Sequence, residues 1–199
     1  MTLLVTIDPI GVAPMFAGLT AQHTSAERRR MAVRGVAIAA GVLVGFALIG
    51  ELLLGALGIE LAAFRIAGGV LLLLLSIDMV MVRHSGLRTT TASEEAESGQ
   101  RADISVFPLA IPLVAGPGAM TSVVLLMSAA AGDVAGSAVV LGELLLVLAL
   151  TLGCFLGAGR LMKVLGITGV NVITRVSGLL LAALAVQFGI DGVRAVVGG

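Results

Sequence analysis

Six apolar runs of about twenty residues, parted by short polar punctuation, constrain this chain more than anything else in it. They fall near residues 2–20, 35–57, 61–82, 106–131, 134–158 and 174–193. Each is close to the length a helix needs to cross roughly 30 Å of hydrocarbon. Only 12% of the residues are charged, against about 25% in soluble domains, and 58% are hydrophobic. A water-soluble globule is therefore not expected. The expected fold class is all-α, a polytopic membrane bundle of six transmembrane helices whose surroundings are the lipid bilayer.

The same composition narrows the other possibilities. Net charge is zero and no basic block is large enough for nucleic acid. The single cysteine, Cys154, lies inside an apolar run, so it forms no disulfide within the chain and reads as a small buried hydrophobe. The opening run lacks a basic n-region and an A-x-A cleavage site, so it reads as a retained span. With seven residues before Asp8, either that span is short or the protein begins further upstream. Trp and Tyr are absent, and with them the usual interfacial aromatic belt.

Loop charge orients the bundle. Arg28, Arg29, Arg30 and Arg34 follow the first run; Arg83, Arg88 and Arg101 follow the third; Arg160, Lys163 and Arg175 follow the fifth. Arg65 and Arg194 lie on the opposite side. By the positive-inside rule the odd-numbered loops are cytoplasmic and both termini lie outside. The stretch QHTSAERRR (22–30) reads as a topology determinant. The longest loop, RHSGLRTTTASEEAESGQRAD, is too polar to bury a core and reads as a flexible cytoplasmic linker over 83–105. It separates a first three-helix repeat, 1–82, from a second, 106–199.

The two halves share marks at nearly one offset. Leu57-Gly58-Ile59 recurs as Leu165-Gly166-Ile167, 108 positions later, and Pro9 maps to Pro117 at the same offset. Arg65-x-x-Gly68 recurs as Arg175-x-x-Gly178, at 110. A duplicated unit with an odd number of spans must insert upside down. The expectation is a 3+3 inverted repeat, an arrangement found in many secondary transporters.

The first span of each half carries an interruption: IDPIGVAP (Ile7 to Pro14) and IPLVAGPGAMTS (Ile111 to Ser122). Proline removes a backbone donor and crowds the preceding turn, while glycine permits a bend. Backbone groups freed in this way cannot face lipid, where each costs several kcal/mol. They must be covered by protein or line a cavity. Both breaks fall near mid-membrane, where half-helix ends offer amides to a carboxylate and carbonyls to a cation. Packing kinks without a ligand are the plainer alternative.

Three blocks carry a family resemblance: DPIGVAPMFAGLT (Asp8 to Thr20), RIAGGVLLLLLSIDMV (Arg65 to Val80) and FPLAIPLVAGPGAMTSVVL (Phe107 to Leu125). In this order, over essentially the whole chain, they resemble the MarC family of bacterial inner-membrane proteins, a group labelled multiple-antibiotic-resistance related. The resemblance implies six spans in the plasma membrane with both termini outside. Some members are described as small neutral amino acid transporters, and the family name is not evidence for drug efflux. Two departures stand out: a short lead-in before Asp8, and Val12 where the family commonly has asparagine.

The residues expected to bind substrate are Asp8, Pro9, Gly11 and Pro14 at the first break, with Gly116, Pro117, Gly118, Thr121 and Ser122 at the second. Asp8 is the sharpest of them, because a carboxylate at mid-membrane is expensive and is usually paired or functional. It can bind a substrate ammonium, accept a coupling proton, or simply cap the helix beside Pro9. Thr6, Thr121 and Ser122 bring hydroxyls, which in membrane helices often bond back to their own backbone. By depth, Glu51 with Arg65 and Asp78 with Arg175 are two possible ion pairs or gates; snorkelling and water-facing helix ends are the bland alternatives. Gly41 and Gly45 form a GxxxG spacing, while Gly68, Gly69 and Gly178 suit close helix contact.

Transport of a small polar solute such as a neutral amino acid, with a proton or sodium as coupling ion, is the leading functional expectation. The alternative is a non-transporting membrane scaffold or stress-response factor. An enzyme is not expected: no G-x-S-x-G or GxGD context is present, Asp8 and Asp78 differ in depth, and His23 and His84 lie in polar loops. Neither a metal site nor a cofactor is read from the chain, and no ring of repeated charge marks a channel filter.

Overall fold

The structure is a computed structural model that describes residues 1–81 and 103–198. Residues 83–102 of the expected linker lie outside the described residues. Among the described residues eight helical segments follow one another: α1 Thr2–Ile7, α2 Pro9–Leu19, α3 Ser25–Ala56, α4 Leu61–Met81, α5 Ser105–Val114, α6 Pro117–Ala129, α7 Val134–Leu156 and α8 Ala158–Val197. No strand occurs among the described residues. The all-α membrane bundle is what the apolar runs predicted. Five segments are long and apolar enough to cross a membrane, with α1 and α2 counted together, and the bent pair α5–α6 makes six.

Helix limits follow local chemistry. The α3 helix begins about ten residues before the predicted span because Thr24 and Glu27 form a capping box. The Thr24 hydroxyl accepts from the Glu27 N–H at 3.3 Å, and the Glu27 carboxylate accepts from the Thr24 N–H at 2.8 Å. The charged turn of Arg28 to Arg30 is therefore helical. Asp133 caps α7 by accepting from the Ala135 N–H at 2.9 Å. The last span is also longer than predicted, running from Ala158 through a break at Gly166, where φ is 63°.

Packing divides into two cores. The larger one gathers Leu3, Ile7, Phe16, Leu43, Leu109, Val123 and Leu144 between α1, α2, α3, α5, α6 and α7. The smaller joins α4 to α8 through Leu72, Leu75, Met79, Leu181 and Ala185. There Gly69 lies against the Ala185 carbonyl and Gly178 against Met79, so the two backbones approach closely, as expected for small residues in a membrane interface. Gly41 and Gly45 instead face open space, and the GxxxG spacing of α3 joins no helix among the described residues. Outside these cores the surface is apolar: Leu48, Leu52, Leu146 and Leu179 are exposed. Lipid is the solvent that such a surface suits.

The halves correspond in several particulars. Both Leu-Gly-Ile marks turn at their glycine, with φ 69° at Gly58 and 63° at Gly166. The α2 helix packs on α7 and α8, while its counterpart by sequence offset, α6, packs on α3 and α4.

Candidate functional site

The first break is a single residue. Asp8 adopts φ 50°, ψ 67°, a left-handed conformation that aspartate tolerates better than most residues. It ends α1 and starts α2 at once: its N–H donates to the Leu4 carbonyl at 3.0 Å, and its carbonyl accepts from the Val12 N–H at 3.1 Å. The side chain, only 3% exposed, accepts from the Gly11 N–H at 3.2 Å. Pro9 occupies the first helical position, where its missing donor costs nothing. Gly11 has a steric reason to be glycine, because a β-carbon there would collide with the Asp8 carboxylate. Asp8 thus performs the capping role. Pro14 lies within α2, and Val12 is buried where an amide had been the family expectation.

The second break is wider. Pro108 and Pro112 each follow a cis peptide bond, and the residues before them, Phe107 and Ile111, are extended, as steric crowding by a proline ring requires. Without a donor on Pro108, the Ile104 carbonyl takes the N–H of Leu109 instead, at 3.2 Å. The Ala110 carbonyl likewise takes the N–H of Ala115, at 2.8 Å. These wide turns, with extended residues at Phe107 and Ile111, leave α5 an irregular segment and not a continuous regular helix. A bend of 58° then separates α5 from α6. Gly116 stands at the bend, where a β-carbon would lie 2.7 Å from the Pro112 carbonyl oxygen. No side chain caps α6.

The second break lines a cavity of about 20 Å³ that the first broken span reaches at Thr6. Thr6 reaches it from the first span, Pro112 to Val114 and Gly116 to Ala119 from the second, with Leu71 and Leu75 of α4 closing it. The Thr6 hydroxyl donates to the Thr2 and Leu3 carbonyls, the back-bonding expected of it. Thr121 is buried with its methyl against Gly68. Ser122 is fully buried, and its hydroxyl has no hydrogen-bond partner among the described residues. Leaving such a group unsatisfied costs about 1–3 kcal/mol, so a structure that keeps it invites a reason. Pro112 was absent from the predicted site residues; the signal for it was the second proline four positions after Pro108.

Asp8, Pro9 and Gly11 therefore form one local cap with Pro14 further along α2, while Gly116, Pro117 and Gly118 line the cavity and Ser122 is buried one turn deeper. Glu51 and Arg175 are exposed, Arg65 and Asp78 half-buried, and neither Glu51–Arg65 nor Asp78–Arg175 is an ion pair among the described residues. Depth alone could not reveal which faces of α3, α4 and α8 these side chains occupy. Among the described residues Glu143 pairs with the Met1 amino group, and Arg34 with Asp103. The second ties α3 to the start of α5. Hydrogen bonds from the Ser105 hydroxyl and N–H, with Arg34 and Arg30 nearby, hold the Asp103 carboxyl below the usual aspartate range. No group of three or more His, Cys, Asp or Glu among the described residues is placed to hold a metal ion.

Comparison with known proteins agrees with this architecture. Residues 1–197 match the family described as "MarC family integral membrane protein". A UPF0056 membrane protein of Methanocaldococcus jannaschii is 39% identical over 94% of this chain and 90% of its own length. YvbG of Bacillus subtilis, also a UPF0056 membrane protein, is 35% identical over 94% of this chain and 88% of its own. YhcE of Escherichia coli, named in the same way, is 33% identical over 99% and 91%. No solved structure matches the chain. A match from end to end, together with helices long enough to span, makes this a multi-pass integral membrane protein that belongs to the MarC family.

Proposed function

We propose that the protein is a secondary transporter of a small polar solute such as a neutral amino acid, not an enzyme, with the solute recognised where the two broken spans meet. The observation that carries the reading is the cavity lined by the second break and by Thr6 of the first broken span. The uncapped first turn of α6 presents backbone donors there, a suitable seat for a solute carboxylate. Asp8, two residues beyond Thr6, supplies a negative charge for an ammonium or a coupling proton or sodium. At about 20 Å³ the cavity takes a water and not an amino acid. Solute binding then requires the two halves to part, the rearrangement that alternating access describes. The matching turns at Gly58 and Gly166 and the paired packing of α2 and α6 support a 3+3 inverted repeat for that movement.

Uptake of labelled glycine and alanine into proteoliposomes, with and without a proton or sodium gradient, tests this for wild type, Asp8→Asn and Ser122→Ala. Gradient-dependent accumulation that both variants lose is the expected result. Folded protein that accumulates neither solute under either gradient returns the weight to the scaffold reading. The plasma membrane is the proposed site, with both termini outside and the 83–105 loop in the cytoplasm. In a Cys154→Ser background, Thr90→Cys should react with an impermeant thiol reagent in inverted vesicles and not in intact cells.

A further inference from the structure

Far from the breaks, two cavities adjoin at the end of the bundle where α2 and α7 stop and α3 and α8 begin. One is a pocket of about 760 Å³ lined by Thr20, Ser25, Arg28, Arg29, Arg160 and Lys163 among others. Its four cations come from segments more than 130 positions apart in sequence. No carboxylate lines it among the described residues. Glu27 is the near acid on α3, and its carboxylate is engaged by Thr24 in the helix cap. Arg28 is fixed by donating to the Thr20 carbonyl at 2.8 Å and the Ala21 carbonyl at 3.1 Å. Arg29, Arg160 and Lys163 are exposed. The floor is apolar, with Phe16 and Phe155 stacked at 4.6 Å between ring centroids.

The second cavity is a groove of about 590 Å³ that runs along α7 and the start of α8, walled by Leu146, Leu150, Gly153, Cys154, Leu161 and Val164. Gly157 and Arg160 line both cavities. An apolar groove on the lipid-facing side of a bundle thus leads, at the membrane end, into a cluster of cations without counter-charge. A molecule that complements both needs an anionic head on an apolar tail.

We propose that this composite site holds one anionic phospholipid of the surrounding leaflet, its phosphate headgroup among Arg28, Arg29, Arg160 and Lys163 and an acyl chain in the groove beside Gly153. The tail alone gains little there, because lipid surrounds every outer face of the bundle; the headgroup pocket makes this place different from the rest of the surface. Topology explains why arginines sit at this end of the helices. It does not require those of α3 and α8 to converge on one pocket that an apolar groove enters. Basic pockets between transmembrane helices are a known means of lipid headgroup binding.

Native mass spectrometry of the full chain, delipidated in a non-ionic detergent, compares phosphatidylglycerol with phosphatidylcholine of identical chains. Wild type should bind the first about tenfold more tightly. Joint substitution of Arg29→Gln, Arg160→Gln and Lys163→Gln should erase that preference while retaining weak binding of both lipids. At Gly153 a β-carbon meets only open space, so Gly153→Leu intrudes into the groove without disturbing the core and should weaken phosphatidylglycerol binding. Equal binding of the two lipids by wild type overturns the proposal and needs no variant to do so. A preference that survives the triple substitution overturns it as well. Displacement of the lipid by inorganic phosphate at the same concentration identifies a soluble-anion site and likewise removes the lipid.

Discussion

The two interrupted spans use the same residue types and resolve them differently. At the first break one aspartate closes the gap: its backbone bonds to both flanking helices, its carboxylate takes the Gly11 amide, and α1 and α2 continue as one span. At the second, two prolines widen the turns, the chain bends by 58°, and no side chain caps the new helix. A side-chain acceptor at the junction lets the backbone cross an interruption within one span. Without one, the freed groups need another acceptor or donor, and the chain bends around the place where it would sit. The first break is closed by its own side chain, and the second is left open beside the cavity at Gly116.

The contrast is sharpest at the two glycines. Gly116→Ala should cost about 2 kcal/mol, because the obstacle is the Pro112 carbonyl, a backbone atom that cannot swing aside. Gly11→Ala should cost less, since its obstacle is the Asp8 side chain and not backbone. Unfolding of both variants in one detergent checks the order, and a reversed order would falsify the assignment of rigid and adjustable breaks.

Next in size is the cap. Asp8→Ala should lower stability by about 1 kcal/mol, whereas Asp8→Asn should stay within about 0.5 kcal/mol, because asparagine caps equally well and tolerates the left-handed backbone. If Asp8→Asn is as unstable as Asp8→Ala, the negative charge itself holds the junction. Smaller still is Ser122→Ala, which removes a hydroxyl without a partner and should change stability by less than about 1 kcal/mol, in the stabilising direction. A clear loss of stability would show that Ser122 is bonded in the folded protein.

The smallest effect concerns the approach to the second break. Asp103 titrates below its ordinary range, so the folded state favours its charged form. That contribution is present above about pH 4, the unfolded aspartate value, and is lost as pH falls through the lower folded value. A melting series from pH 6 to pH 3 should therefore fall slightly more steeply for wild type than for Asp103→Asn. Parallel curves would mean that the bonds from Ser105 to the Asp103 carboxylate, with Arg34 nearby, add nothing at neutral pH.

How far the chain could be read in advance differed by feature. The runs at 61–82 and 134–158 became α4 and α7 with little change, because a span's length and apolarity are local properties. The start of α3 was missed by about ten residues because the charged Arg28–Arg30 turn hid a helix that the Thr24–Glu27 cap begins. Both breaks were located from Pro and Gly, as was the alternative that Asp8 is a cap. The Glu51–Arg65 and Asp78–Arg175 pairs are not seen among the described residues, and equal depth says nothing about which face of a helix a side chain occupies. The convergence of Arg28 with Arg160 was equally invisible, since their segments are neighbours only after the helices pack.

The amino-acid sequence by itself therefore determined the solvent, the number of spans and the places where two of them break. Hydropathy and missing backbone donors are carried by the residues concerned and need no partner to act. Only the tertiary structure decided which freed groups Asp8 satisfies, which ones face the cavity at Gly116, and how α4 and α8 join through glycine. Those outcomes depend on which surfaces meet, and a surface's neighbour is settled by the packing of the whole bundle at once.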